Sequence, residues 1–165
     1  MSEQAAATSQ DSLYERDALI WAEQQAELLR RLASGENVNE ALDWLNVIEE
    51  IEAMGRSELR SCGSYLQQAM FHLLKLHAWP DSRAVSHWRD EIQTFLDLAE
   101  HCFTPSMRQK IDLDFEYRKA LRLTRYAMQE TEARPRKLPE TCPFTLNGLL
   151  AGDIEELVGK ISNAE

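Results

Sequence analysis

Six glycines and five prolines in 165 residues are too few for a loop-rich β protein or a linker-rich chain. The three cysteines, Cys62, Cys102 and Cys142, stand forty residues apart without a C-x-x-C pair. That spacing excludes a disulfide framework and a zinc site, and fits reduced, partly buried thiols in a cytosol. No run approaches the ~20 apolar residues of a membrane span. Met1 to Gln10 has neither a basic segment nor an apolar core, so no signal peptide is expected and the location is read as cytoplasmic. The glycines never form G-x-G-x-x-G or a P-loop, and no G-x-S-x-G elbow occurs. The four histidines, His72, His77, His87 and His101, follow Ala69, Leu74, Ala84 and Leu98 at three residues' distance. The Glu-x-x-His pair of di-metal bundles is therefore missing, as is H-E-x-x-H. No cofactor is implied.

What is present is helical periodicity. Ser12-x-x-Glu15 has the spacing of a capping box, and Tyr14, Ala18, Trp21, Gln25, Leu28 and Leu32 behind it mark one helix face, closed by Gly35. Asn37-x-x-Glu40 offers a second cap. Leu42, Leu45, Ile48, Ile51 and Met54 then mark a second helix, stopping or kinking at Gly55. Ser57 caps a third helix with Leu59, Cys62, Leu66, Met70, Leu73 and Leu74, ended near His77 by Pro80. Ser82 or Ser86 starts a fourth along Trp88, Ile92, Phe95, Ala99 and Cys102. Thr104-Pro105 opens a fifth through Met107, Ile111, Phe115, Leu121 and Tyr126. Pro135, Pro139 and Pro143 keep 131–144 extended, and Thr145 and Asp153 can each cap a short terminal helix.

The expected fold is all-α: a compact antiparallel helical bundle of about five main helices, a Pro-rich strap and a short C-terminal helix. Residues 1–11, rich in Ala, Ser and Gln, read as a disordered N-terminus, and 12–165 as a single helical domain.

Charge is uneven. Residues 1–60 carry 13 acids and 5 bases, residues 61–140 carry 11 and 12, and residues 141–165 carry 4 and 1. An acidic first third argues against general nucleic-acid binding, which needs clustered Lys and Arg. Three polar features stand out against this background. Glu49, Glu50 and Glu52 together with His72 can make a carboxylate–imidazole cluster with metal-binding or general-base potential; the other reading is a solvated acidic face and a hydrogen-bonded core histidine. His72, Lys75 and Trp79, with Arg83, Ser86 and Trp88 beyond Pro80, offer either a polar pocket or a satisfied network at a helix corner, with Lys75 and Arg56 as partners for the helix-two carboxylates. Arg118, Lys119, Arg122 and Arg125, then Arg134, Arg136 and Lys137, give a basic stretch able to touch RNA or to complement the acidic first third. Gly55 decides the first of these. In a hairpin, Glu49–Glu52 meet His72–Lys75; in a continuous helix, about 30 Å of rise separates Glu52 from His72.

Several segments together resemble a known family. They are Tyr14-Glu15-x-Asp17-x-x-x-Trp21, Ile48-Glu49-Glu50-Ile51-Glu52-x-Met54-Gly55-Arg56-Ser57-Glu58, His72-Leu73-Leu74-Lys75, Pro80, Trp88-Arg89, and Leu138-Pro139-Glu140-Thr141-Cys142-Pro143-Phe144-Thr145-Leu146. Over about residues 13–150 the chain resembles the bacterial domain-of-unknown-function family numbered twenty-nine. The resemblance implies bundled helices and no assigned activity. Its motif residues here are Glu50, Glu52, Arg56, His72, Lys75, Trp79 and Trp88. His87 separates Ser86 from Trp88, which the family places side by side.

With no catalytic or metal motif, the leading expectation is a non-enzymatic helical domain that binds another protein or itself, in a regulatory or antitoxin-like role. The alternatives are a metal-binding protein or enzyme using the Glu/His cluster, and RNA binding through the basic face of helix five.

Overall fold

The computed structural model describes residues 12–129 and 134–164; the expected disorder of residues 1–11 and the start of the Pro-rich strap lie outside them. Among the described residues all regular structure is helical: α1 (Leu13–Arg16), α2 (Ala18–Ala33), α3 (Trp44–Ala78), α4 (Val85–Cys102), α5 (Leu113–Gln129), α6 (Leu146–Ala151) and α7 (Ile154–Ser162), with 3₁₀ turns at Asn39–Ala41 and Pro105–Met107. The all-α fold class is as expected. Contacts divide the chain into two compact units, residues 1–55 and 56–165.

In the first unit the capping box forms: the Glu15 amide donates to Ser12 Oγ and the Ser12 amide to the Glu15 carboxylate, both at 3.2 Å. The expected single helix does not continue from it. Asp17 leaves helical geometry at φ −154° and caps α2 afresh, accepting from the Ile20 amide at 3.1 Å. Asp favours caps because its carboxylate competes for nearby amides. Gly35, at φ +94°, ends the helix as expected. The second cap is Asp43 rather than Asn37: its carbonyl accepts from the Val47 amide at 3.0 Å and its carboxylate from the Asn46 side chain at 2.7 Å. The small core joins Trp21, Gln25, Leu42 and Val47. The Trp21 indole N–H donates to Asp43 at 3.1 Å, and the Asp43 amide donates to Gln25 Oε1 at 2.9 Å.

Helices two and three of the sequence reading are one helix. α3 runs through Gly55 without a break. A glycine in an exposed helix costs only about 1 kcal/mol relative to alanine, too little to end a 35-residue helix without a competing cap. Of the apolar residues that mark this stretch, Leu42 is buried, whereas Leu45, Ile48, Ile51 and Met54 face solvent.

The second unit has the larger core. Leu66, Met70, Leu73 and Leu74 of α3 pack with Trp88, Ile92, Leu96 and Ala99 of α4 as part of one cluster. α5 and the C-terminal helices add Tyr117, Leu121, Leu149, Leu157 and Ile161. α5 starts later than expected, because Asp112 caps it at the Phe115 amide, 2.8 Å, while Thr104-Pro105 opens only a 3₁₀ turn. Its buried face is therefore Tyr117, Ala120, Leu121 and Thr124, and Phe115 and Tyr126 are exposed. The described part of the strap is extended and tied down. The Tyr117 hydroxyl donates to the Pro139 carbonyl at 2.7 Å, the Arg136 amide to the Ala78 carbonyl at 3.0 Å, and Leu138 and Phe144 are buried. Thr145 and Asp153 cap α6 and α7 as their spacing implies.

Candidate functional site

α3 ends at Ala78 before Pro80, and α4 begins at Val85. This turn brings Lys75, Trp79 and Trp88 together in the second unit. Both tryptophans are buried, their ring centres 6.3 Å apart and tilted by 49°. Lys75 is half-buried, with Nζ 4.6 Å from the Trp88 ring centre and 5.1 Å from that of Phe71. Burial lowers its pKa. A cavity of about 660 Å³ opens beside these rings, lined also by Ser82, Asp81, Arg134 and Arg136. The corner therefore holds both an aromatic–cation network and a cavity, and the cavity is lined as well by two arginines from the basic stretch about fifty residues on.

His72, one turn before Lys75, is buried between Phe71, edge-on at 5.0 Å, and Phe95, stacked at 6.0 Å. Its Nδ1 has no hydrogen-bond partner. Burial lowers its pKa to about 4, and the Lys75 charge acts in the same direction. It is a neutral core imidazole. His77, also buried, instead ties elements together: Nε2 meets the Lys137 carbonyl at 3.2 Å and Nδ1 the Ser162 hydroxyl at 3.5 Å.

The carboxylate–imidazole cluster is not assembled. Glu50 accepts a hydrogen bond from the Tyr14 hydroxyl inside the first unit, and that carboxylate raises the Tyr14 pKa to about 12. Glu49, Glu52 and Arg56 are exposed. Among the described residues no group of three or more His, Cys, Asp or Glu is placed to hold a metal ion. Arg118, Arg122 and Arg125 do share one face and line a shallow depression, but Arg125 pairs with Glu140 there, and Lys119 pairs with Glu116 at 2.8 Å.

The first unit carries a feature of a different kind. Leu45 is 84% exposed, Ile48 53%, Ile51 61% and Met54 64%. Residues three apart on a helix are neighbours, so these side chains form a continuous apolar stripe that winds about half-way round α3 from Leu45 to Met54, headed by the partly exposed Trp44. The Trp44 indole N–H is held by the Asn39 carbonyl at 3.1 Å. Leu19 and Ile20, at the start of α2, are exposed as well. The sequence marks these residues as helical by their spacing, and the spacing alone does not say whether they are covered.

Comparison with known proteins agrees with the helical architecture. A family model described as "Domain of unknown function DUF29" matches residues 13–154. A crystal structure of an alpha-helical protein of unknown function from Rhodospirillum rubrum is 29% identical, with a TM-score of 0.71 over 91% of this chain and 98% of that one. No curated protein matches the chain. Among the described residues no helix is long and apolar enough to cross a membrane.

Proposed function

Because the chain belongs to the DUF29 family, a domain of unknown function, no activity comes with its membership, and we propose that it is a protein-binding domain whose apolar stripe from Trp44 to Met54 receives a basic amphipathic helix of another protein. The exposure of Leu45, Ile48, Ile51 and Met54 on successive turns carries this reading. Single exposed apolar residues need no explanation, but a contiguous apolar patch of several hundred Å² marks an interaction surface. Leu19, Ile20 and Trp44 add further exposed apolar surface in the same unit. A helix laid along such a stripe through its own i, i+3, i+4 side chains is a recurrent mode of recognition.

Charge selects the occupant. Between Trp44 and Gly55 stand three acids, Glu49, Glu50 and Glu52, and no base. Residues 12–55 carry ten acids and three bases, net −7. A second copy would bring acid against acid, whereas Lys and Arg flanking an apolar partner face would meet the rim and speed association.

Site-specific photo-crosslinking from position 48 or 51 in cells tests this. A crosslink to a Lys/Arg-flanked amphipathic helix of one protein, lost in Leu45→Asp and weakened by added salt, is the expected result. Crosslinks only to a second copy, together with a dimeric mass in solution, would replace the basic partner by self-association. Absence of any crosslink from both positions would remove the docking face altogether.

A further inference from the structure

The cavity at the Trp79–Trp88 corner belongs to the second unit and plays no part in the docking stripe. Its volume, about 660 Å³, lies within the range of small-molecule sites. Among the described residues it combines two aromatic walls with three cations, Lys75, Arg134 and Arg136, against one carboxylate, Asp81. None of the three cations forms an ion pair among the described residues.

We propose that this cavity binds a small organic anion with a flat apolar body, its anionic head among Lys75, Arg134 and Arg136 and its body against Trp79 and Trp88.

The sign of the ligand follows from what already occupies the rings. Aromatic cages attract cations, but here the Trp88 face holds the Lys75 ammonium at 4.6 Å. A second cation would meet that charge. An anion instead supplies a counter-ion to the half-buried ammonium, which has no ion-pair partner among the described residues. The carbonyl end of α3 nearby carries partial negative charge, and the Arg136 amide takes up one of those carbonyls, at Ala78. The same hydrogen bond fixes the Arg136 backbone at the edge of the cavity. The body of the ligand follows from Trp79, Trp88, Ala78 and Ala127, which give the walls an apolar surface for a ring rather than for a bare inorganic ion. Phosphate and carboxylate heads share this chemistry, since Lys and Arg donate to both.

Calorimetric and tryptophan-fluorescence titrations of the full chain test the site with four probes: phenyl phosphate, phenylacetate, inorganic phosphate and neutral benzyl alcohol. Phenyl phosphate, phenylacetate or both should bind saturably at one per chain and change the emission. Benzyl alcohol and inorganic phosphate should each bind about tenfold or more weaker than the better phenyl anion. The tighter of the two phenyl anions names the head group, and either result supports the site. Lys75→Met should weaken binding by about tenfold or more while keeping the aliphatic stem over Trp88. Because Lys75 is half-buried, the exposed pair Arg134→Ser and Arg136→Ser gives the deciding variant: it should weaken binding with an unchanged circular dichroism spectrum. Benzyl alcohol binding as tightly as the anions, no saturable binding of either phenyl anion at millimolar concentration, or full binding by the arginine double variant would each overturn the proposal.

Discussion

The imidazole of His72 stacks on the ring of Phe95 at 6.0 Å between centres, and its Nδ1 is buried without a hydrogen-bond partner. Protonating it would leave a charge between Phe71 and Phe95, with the Lys75 ammonium and His87 acting against that charge and Glu91 favouring it. The folded-state pKa of about 4 lies below the usual 6.5, so the unfolded chain binds the proton more readily. Stability from this group is therefore full above pH 6.5 and lost as pH falls toward 4, by up to about 3 kcal/mol at ~1.4 kcal/mol per unit. His72→Phe should abolish that part of the acid sensitivity while keeping the aromatic contacts. Urea midpoints at pH 7 and pH 4.5 check this; equal midpoint losses in both proteins would show that carboxylates alone drive acid unfolding.

Gly55 lies inside α3, and a Cβ built there meets nothing within 4 Å. Gly55→Ala should therefore stabilise by about 0.5–1 kcal/mol, by removing unfolded-chain entropy and the helix penalty of glycine. A thermal melt reads the sign directly. Destabilisation would mean that the chain needs glycine there because it bends, contrary to a continuous helix.

The strap of the second unit hangs partly on Tyr117, whose buried hydroxyl donates to the Pro139 carbonyl. Tyr117→Phe keeps the edge-to-face contact with Phe144, 6.1 Å between ring centres, and deletes only that bond. It should cost about 1–2 kcal/mol, because the carbonyl is left unsatisfied in a buried place. Amide exchange should quicken at Arg136, whose N–H pairs with Ala78, if the strap loosens as a whole. Unchanged stability and exchange would show that Leu138 and Phe144 suffice to hold it.

Much of the fold was legible in the sequence because its signals are local. The capping box at Ser12, the glycine stop at Gly35, the Pro80 break and the caps at Thr145 and Asp153 each depend on hydrogen bonds or sterics spanning a few residues. Of the apolar members of the expected third helix, Cys62, Leu66, Met70, Leu73 and Leu74 are buried and Leu59 is half-buried. Errors arose where two local signals compete. Asp17 can sit inside a helix or cap the next one, and Gly55 can end a helix or be carried through it; spacing alone does not rank the two.

The candidate site was half legible. Lys75, Trp79 and Trp88 were singled out, and they do meet at one corner. Glu50 was grouped with His72 only on the supposition of a hairpin, and its observed partner is Tyr14. Arg134 and Arg136 were seen as part of a basic run, and no signal in that run pointed toward two tryptophans fifty residues earlier.

By itself the sequence determined that this chain is helical, several of the points where its helices begin and end, and which sequence motifs it lacks, because propensity, caps and motifs act over one or two turns. Tertiary structure alone decided which apolar stripes are covered. Ile48 and Ile51 stand three residues apart on α3, as do Met70 and Leu73, yet the first pair faces water and the second is buried. Periodicity puts side chains on a common face; burial requires a second surface packed against it, and no local pattern encodes whether one is there.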